Sequence, residues 1–147
     1  MIKIVEGDLL DAEEDIIGHQ VNCQGVMGSG VAKQIKDKFP VAYDEYKKSF
    51  EYTMKKFQLG RCQIIITDKY IANLFGQFDY GYGKQQTDYD AFKNALMKLK
   101  WYAKENELTV ALPFKIGSDR GGADWNVVYG IIEEVFRDYR VTLYKIQ

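Results

Sequence analysis

Asn22-Cys23-Gln24-Gly25-Val26-Met27-Gly28-Ser29-Gly30 is the stretch on which the reading of this chain turns. Before it runs an apolar segment, Asp15–Val21, which ends in His19, Gln20 and Val21 and reads as a strand. After it, Gly30–Phe39 places Val31, Ile35 and Phe39 at helical spacing until Pro40 breaks the pattern. The nine residues are therefore a glycine-rich turn from a strand into a helix. The same arrangement recurs late in the chain. Leu108–Pro113 reads as a buried strand, Ile116-Gly117-Ser118-Asp119-Arg120-Gly121-Gly122 as the turn, and Asp124 to about Arg137 as the helix.

The remaining segments fit around these two units. Ile2–Val5 and Val141–Ile146 read as the first and last strands. Ala42–Phe50 is a helix with Tyr43, Tyr46 and Phe50 on one side. Cys62–Thr67 and Tyr70–Phe75 form a local antiparallel pair across a tight Asp68-Lys69 turn. Gly76–Gln86 is a loop in which Gly76, Gly81 and Gly83 alternate with aromatics. Thr87 then serves as N-cap, with Asp90 as its capping-box partner, for a helix that reaches about Glu105 and turns Phe92, Leu96 and Leu99 to the core. About six strands and four helices in this order predict an α/β fold of three layers, a mixed sheet between helices.

Length and charge bound the function. The 147 residues suit one domain, 1–147, with a core that needs no disulfide or metal. The formal net charge of −1 provides no general basic field for a phosphate backbone, so nucleic acid is not the expected partner. Lys33, Lys36, Lys38, Lys47 and Lys48 read as solvated helix faces, an RNA- or DNA-binding face being the lesser reading. Cys23 and Cys62 are too few and too far apart for a disulfide framework or a zinc site. With no secretory segment and no membrane-length apolar run, the expected setting is cytoplasmic, without a membrane partner, cofactor or metal.

In open α/β sheets ligands bind beyond the carboxyl ends of the strands. Glycine loops there allow close backbone approach, and helix N-termini present N–H groups to an anion. The two loops are either tight turns alone or the two sides of a crevice for a diphosphate. They are not a dinucleotide fingerprint or a P-loop: Gly28-Ser29-Gly30-Val31-Ala32-Lys33 lacks the third glycine, and no Gly-Lys-Ser/Thr occurs.

Four segments in order then resemble one family: Gly7-Asp8-Leu9-Leu10; His19-Gln20-Val21-Asn22 with Gly25-Val26-Met27-Gly28-Ser29-Gly30-Val31-Ala32; Asn73-Leu74-Phe75-Gly76-Gln77; and Ile116-Gly117-Ser118 through Gly122-Ala123-Asp124-Trp125. The chain resembles the macro domain family, most closely its ADP-ribose-1″-phosphate phosphatases and small de-ADP-ribosylating members. The resemblance implies ADP-ribose or ADP-ribose-1″-phosphate as ligand, free or on an ADP-ribosylated macromolecule. It implies that Asp8, with the Leu9 backbone beside it, accepts from the adenine amine; without a ligand Asp8 reads as a turn or helix-cap residue. Asn22 would bond the distal ribose, or else only its own loop, and Gln77 lies at the strand end beside that ribose. The diphosphate would be wrapped by Gly25, Val26, Met27, Gly28, Ser29 and Gly30 on one side and by Gly117, Ser118, Asp119, Arg120, Gly121 and Gly122 on the other. Phe114 or Tyr80 would stack near the adenine or a ribose.

Catalysis is a separate question. His19, the single histidine, matches a histidine of the phosphatase branch and reads either as general base or acid, or as a buried structural residue. Asp119, which a diphosphate would repel, points outward or toward the 1″ end as a water activator, with Asn22 beside the ribose and Arg120 to offset charge or clamp a terminal phosphate. One de-ADP-ribosylating branch uses a lysine where this chain has Gln77 and an acid where it has Gly121, so its covalent mechanism does not carry over. Lys84, seven residues on, does not replace that lysine without a different loop path. The resemblance thus implies hydrolysis of an ADP-ribose derivative by an activated water, or else an ADP-ribose reader without turnover.

Overall fold

The computed structural model describes residues 1–146. The sheet contains β1 (Ile2–Glu6), β2 (Ile16–Val21), β3 (Cys62–Ile66), β4 (Tyr70–Phe75), β5 (Val110–Pro113) and β6 (Val141–Lys145). Their order is β1-β6-β5-β2-β4-β3, with every neighbouring pair parallel except β3–β4. The helices are α1 (Gly30–Lys38), α2 (Pro40–Ser49), α3 (Lys55–Gln58), α4 (Tyr89–Glu105) and α5 (Trp125–Val135), and a 3₁₀ turn spans Leu9–Asp11.

Successive side chains on a strand point to opposite faces, and on β2 both faces are apolar, as expected of a central parallel strand. Ile16 packs with Phe92, Leu96 and Leu99 of α4 and with Val128 and Ile132 of α5. Ile17 packs against Ile35 of α1 and Ala42 of α2. Each such fully buried side chain contributes about 1.5–3 kcal/mol of apolar transfer. The result is the three-layer α/β arrangement with a mixed six-stranded sheet.

The topology places the functional loops. Because β2 and β5 are adjacent and parallel, the glycine loops that leave their carboxyl ends emerge side by side. Parallel β4, on the other flank of β2, brings Gly76 and Gln77 to the same edge. Parallel β1 delivers Gly7 and Asp8 to that edge from the far side of β6.

Three local expectations need correction. The N-cap of α4 is Asp88, whose carboxylate accepts from Ala91 N at 3.1 Å, and not Thr87. Both residue types cap helices; Thr87 is occupied by loop contacts described below. The β3–β4 turn contains Thr67 as well as Asp68 and Lys69, and the Thr67 hydroxyl donates to Lys69 O at 2.7 Å. The second helix starts at Pro40, whose missing N–H costs nothing at a first helical position, and the short α3 had no periodic signature.

Candidate functional site

Loop 1, residues 22–29, is shaped from within. Asn22 Nδ2 donates to Val26 O at 2.8 Å, and its Oδ1 accepts from Gln24 N at 2.9 Å. Beneath it the buried Tyr46 hydroxyl lies 2.7 Å from Asn22 O and 2.9 Å from Asn22 Oδ1, and accepts from Gly25 N at 3.1 Å. Burial pushes the Tyr46 phenol upward, so it stays a protonated donor. Cys23 and Met27 sink into the cluster of Tyr46 and Phe75. With those side chains inward, Gly28 and Ser29 are left exposed at the start of α1. Ser29 is extended and makes no side-chain cap, so it leaves the first-turn N–H groups of α1 without a capping acceptor.

Loop 2, residues 114–123, is held from outside. Gly121 O accepts from Gln86 N at 2.7 Å and Thr87 N at 3.0 Å, and the Thr87 hydroxyl donates to Gly117 O at 2.8 Å. Gln20 Nε2 donates to Thr87 Oγ1 at 2.8 Å and to Gln77 Oε1 at 2.6 Å. The packing is so close that a Cβ on Gly121 would lie 2.4 Å from Thr87 Oγ1 and 2.5 Å from Gly117 O. The acid that one branch carries at this position has no room here. Lys115, at φ 64, adopts the left-handed conformation without being glycine, which costs about 1–2 kcal/mol. Its carbonyl closes the turn by accepting from Ser118 N at 2.9 Å.

Between the loops lies a cavity of about 270 Å³ bordered by Asn22, Gln77, Ser29, Gly30, Gly117 and Arg120. A second, of about 490 Å³, is bordered by Asp8, Leu9, Ser118 and Tyr144. The two share Val31, Pro113, Phe114, Lys115 and Asp119, and so meet as one cleft. Of the expected ligand residues, Val26, Gly28 and Gly121 also border the first cavity, and Asp119 borders both. Gly25, Met27 and Gly122 border neither. Gly25 and Met27 are buried towards Tyr46, and Gly122 packs on the backbone of Lys84 and Gln85.

Asp8 is the cap of the 3₁₀ turn, its Oδ1 accepting from Leu10 N at 2.9 Å, and it borders the second cavity. Phe114 stands between the cavities, edge-on to Trp125 at 5.0 Å, with Lys145 Nζ 4.9 Å above its ring. Tyr80 borders the first cavity and is half exposed.

Of the two readings of His19, its surroundings fit the buried structural one better than the acid–base one. Its ring is 1% exposed, and Nε2 lies 2.6 Å from Asn73 Oδ1. The Asn73 amide group itself donates to Ala42 O and Gln63 Oε1, so Nε2 carries the proton and donates. Nδ1 is sealed without a partner. Burial lowers the His19 pKa to about 4, the Asn73 bond opposing only in part. His19 also borders the first cavity, and a neutral ring with Nε2 engaged by Asn73 and Nδ1 enclosed is poorly placed to exchange a proton with a ligand there.

Sequence reasoning missed Gln20, Tyr46 and Thr87. Strand alternation was the available signal for Gln20, which falls on the face opposite His19. Nothing local marked Tyr46 or Thr87, whose partners lie 24 and 30 residues away. Among the described residues no group of three or more His, Cys, Asp or Glu side chains is placed to hold a metal ion.

Fold and cleft together define an α/β protein in which two glycine loops face each other across the carboxyl edge of a mixed sheet, an uncapped helix N-terminus between them. The Macro domain family model matches residues 19–132, and the chain belongs to that family. An uncharacterized 17.5 kDa protein of Enterobacteria phage T4 is 30% identical over 142 residues, 90% of this chain and 88% of the relative. The DNA ADP-ribosyl glycohydrolase of Mycobacterium tuberculosis is 32% identical over 132 residues, 87% of this chain but 36% of that longer protein. The ADP-ribose 1″-phosphate phosphatase of Aspergillus oryzae is 46% identical over 46 residues, 31% of this chain and 23% of the relative. Among solved structures, the macrodomain of Thermus aquaticus DarG matches with a TM-score of 0.82 at 29% identity, over 98% of this chain and 97% of that one.

Proposed function

We propose that the cleft binds the ADP-ribose moiety and that the protein hydrolyses a derivative of it at the distal ribose. The observation that carries this reading is the uncapped N-terminus of α1 facing loop 2 across a cavity that continues to Asp8. Backbone N–H groups and the helix dipole favour a diphosphate there. The adenosine then extends along Phe114 to Leu9 and Asp8, whose carboxylate accepts from an exocyclic amine. The distal ribose lies towards Asn22 and Gln77. The hydrolase-named relatives above support turnover in addition to binding.

Among the described residues Asp119 is the one carboxylate bordering the first cavity, and it is exposed. It takes the proton of a water that attacks either the 1″-phosphorus, breaking the bond from phosphorus to the ribose oxygen, or C1″, breaking its glycosidic bond, and gives that proton to the departing group. Asn22 orients the ribose. His19, buried on β2, bonds Asn73 of β4 and so positions the strand that leads into Asn22. The absence of a lysine at Gln77 and of space at Gly121 favours water over a covalent intermediate.

Phosphorus NMR of the protein with ADP-ribose-1″-phosphate tests this, with Asp119→Asn in parallel and ADP-ribose affinity measured by calorimetry. Inorganic phosphate released by the unmutated protein alone, with affinity within about threefold in the variant, is the expected result. Shifted diphosphate resonances without release, there or on ADP-ribosylated substrates, leave an ADP-ribose reader. That second reading is favoured by one observation, the engagement of both the Asn22 and Gln77 amides in bonds of their own. Unchanged resonances throughout would refute ADP-ribose binding itself.

A further inference from the structure

One contact in the cleft joins two of its loops at the surface. Arg120 leaves loop 2, hydrogen-bonds through its guanidinium to the Tyr82 hydroxyl, and holds its Cζ 5.1 Å from the Tyr82 ring centroid. Tyr82 comes from the loop between β4 and α4 and is 76% exposed. Such an exposed pair adds little to stability. The same side chain lies across the start of α1: a Cβ on Gly30 would meet Arg120 Nε at 3.3 Å. Gly30, at φ 62, is thus both conformationally and sterically suited to glycine. Tyr82, Arg120 and Gly30 all border the first cavity.

The electrostatics of this placement are unfavourable by themselves. The N-terminus of a helix carries a partial positive charge, and α1 has neither a side-chain cap nor an acidic residue in its first turn. Arg120 makes no ion pair among the described residues. A guanidinium over a positive helix end, held by an aromatic ring and a phenol, makes sense when an anion enters between the two charges. The planar fork of arginine fits two phosphate oxygens, and one N–H bond to Tyr82 leaves other donors free.

We infer that Tyr82 is a positioning residue: it holds Arg120 over the α1 N-terminus, so that a diphosphate is clamped between guanidinium and helix. This rests on the ADP-ribose reading and adds a specificity device to it. The Tyr82–Arg120 pair selects ligands that carry the diphosphate and is indifferent to the nucleoside alone. It also explains why loop 2 has an arginine beside Asp119, because the clamp offsets the carboxylate next to the bound anion.

The test compares ADP-ribose with adenosine by calorimetry on the full chain, for the unmutated protein, Tyr82→Leu, Tyr82→Phe, Arg120→Met and the Tyr82→Leu/Arg120→Met double variant. Tyr82→Leu is expected to weaken ADP-ribose about tenfold and to leave adenosine unchanged. Tyr82→Phe, which keeps the ring and loses the hydroxyl, falls between. The double variant is no weaker than Arg120→Met, because Tyr82 acts only through Arg120. Circular dichroism melts that coincide show that each variant folds. ADP-ribose binding unchanged in Tyr82→Leu, or additive losses in the double variant, would overturn the inference while leaving ADP-ribose binding intact. No binding by the unmutated protein would instead refute the reading on which it rests.

Discussion

His19 shows how one residue type supports two readings. As the lone histidine beside a ligand loop it invites an acid–base role, yet its ring lies in the helix-covered face of the sheet, bonded to Asn73 on the neighbouring strand. Its chemistry is expressed in stability. With a folded pKa of about 4 against 6.5 for the free side chain, the unfolded chain binds the extra proton between those values. The stabilisation from a neutral His19 is complete above about pH 6.5 and is lost as the pH falls towards 4, an effect of about 3 kcal/mol. Urea melts between pH 7 and 4 should show that slope, and His19→Gln should flatten it. A slope unchanged by the substitution would place the titration elsewhere. Asp8 and Asn22 were each read in two ways, and the structure shows why both readings arose. Short polar side chains bond their own loop, and here they do so at the border of the cleft.

At the scale of elements, the two glycine loops differ in what supports them. Loop 1 is built around the Tyr46 hydroxyl from α2, and loop 2 is pinned by the segment that leads into α4. Tyr46→Phe removes the partner of Gly25 N–H and Asn22 O in a buried setting. It should cost about 1–3 kcal/mol in chemical denaturation and weaken ADP-ribose binding. An equal loss of stability with affinity untouched would show that loop 1 keeps its shape without the phenol. Gly121→Ala should act on loop 2 by collision with the Thr87 hydroxyl and Gly117 O. Its signature is loss of binding with a melting temperature lowered by a few degrees, about 1–3 kcal/mol of overpacking. The strands and long helices were legible because their apolar periods match their environments; Phe92, Leu96 and Leu99 all lie in the core as spaced. Boundaries were less so. Asp88 and Thr87 are both competent caps, and the one whose hydroxyl was needed by Gly117 lost that place to its neighbour.

On the scale of the whole molecule, both cysteines report on the integrity of the sheet. Burial pushes the thiols of Cys23 and Cys62 up to about 12, so neither is a thiolate at neutral pH. A thiol reagent should therefore label the enclosed Cys23 only on opening and the partly exposed Cys62 slowly in the native protein, and both should react readily in denaturant. Fast labelling of one site in native buffer would mark local opening of the layer that contains it. The pattern of strands and helices, the two strand-to-helix glycine turns and the motif order that places the chain among macro domains were all determined by the sequence alone. Each depends on neighbours close in the chain, through periodicity and turn chemistry. Which residues support the cleft was decided only by the tertiary structure. Tyr46 reaches Asn22 from 24 residues away, Gln20 meets Thr87 across 67, and Arg120 meets Tyr82 across 38. Those pairings arise because parallel strands align their carboxyl ends at one edge of the sheet. Strand order, which no local pattern encodes, therefore determines which loops face one another and which histidine is enclosed.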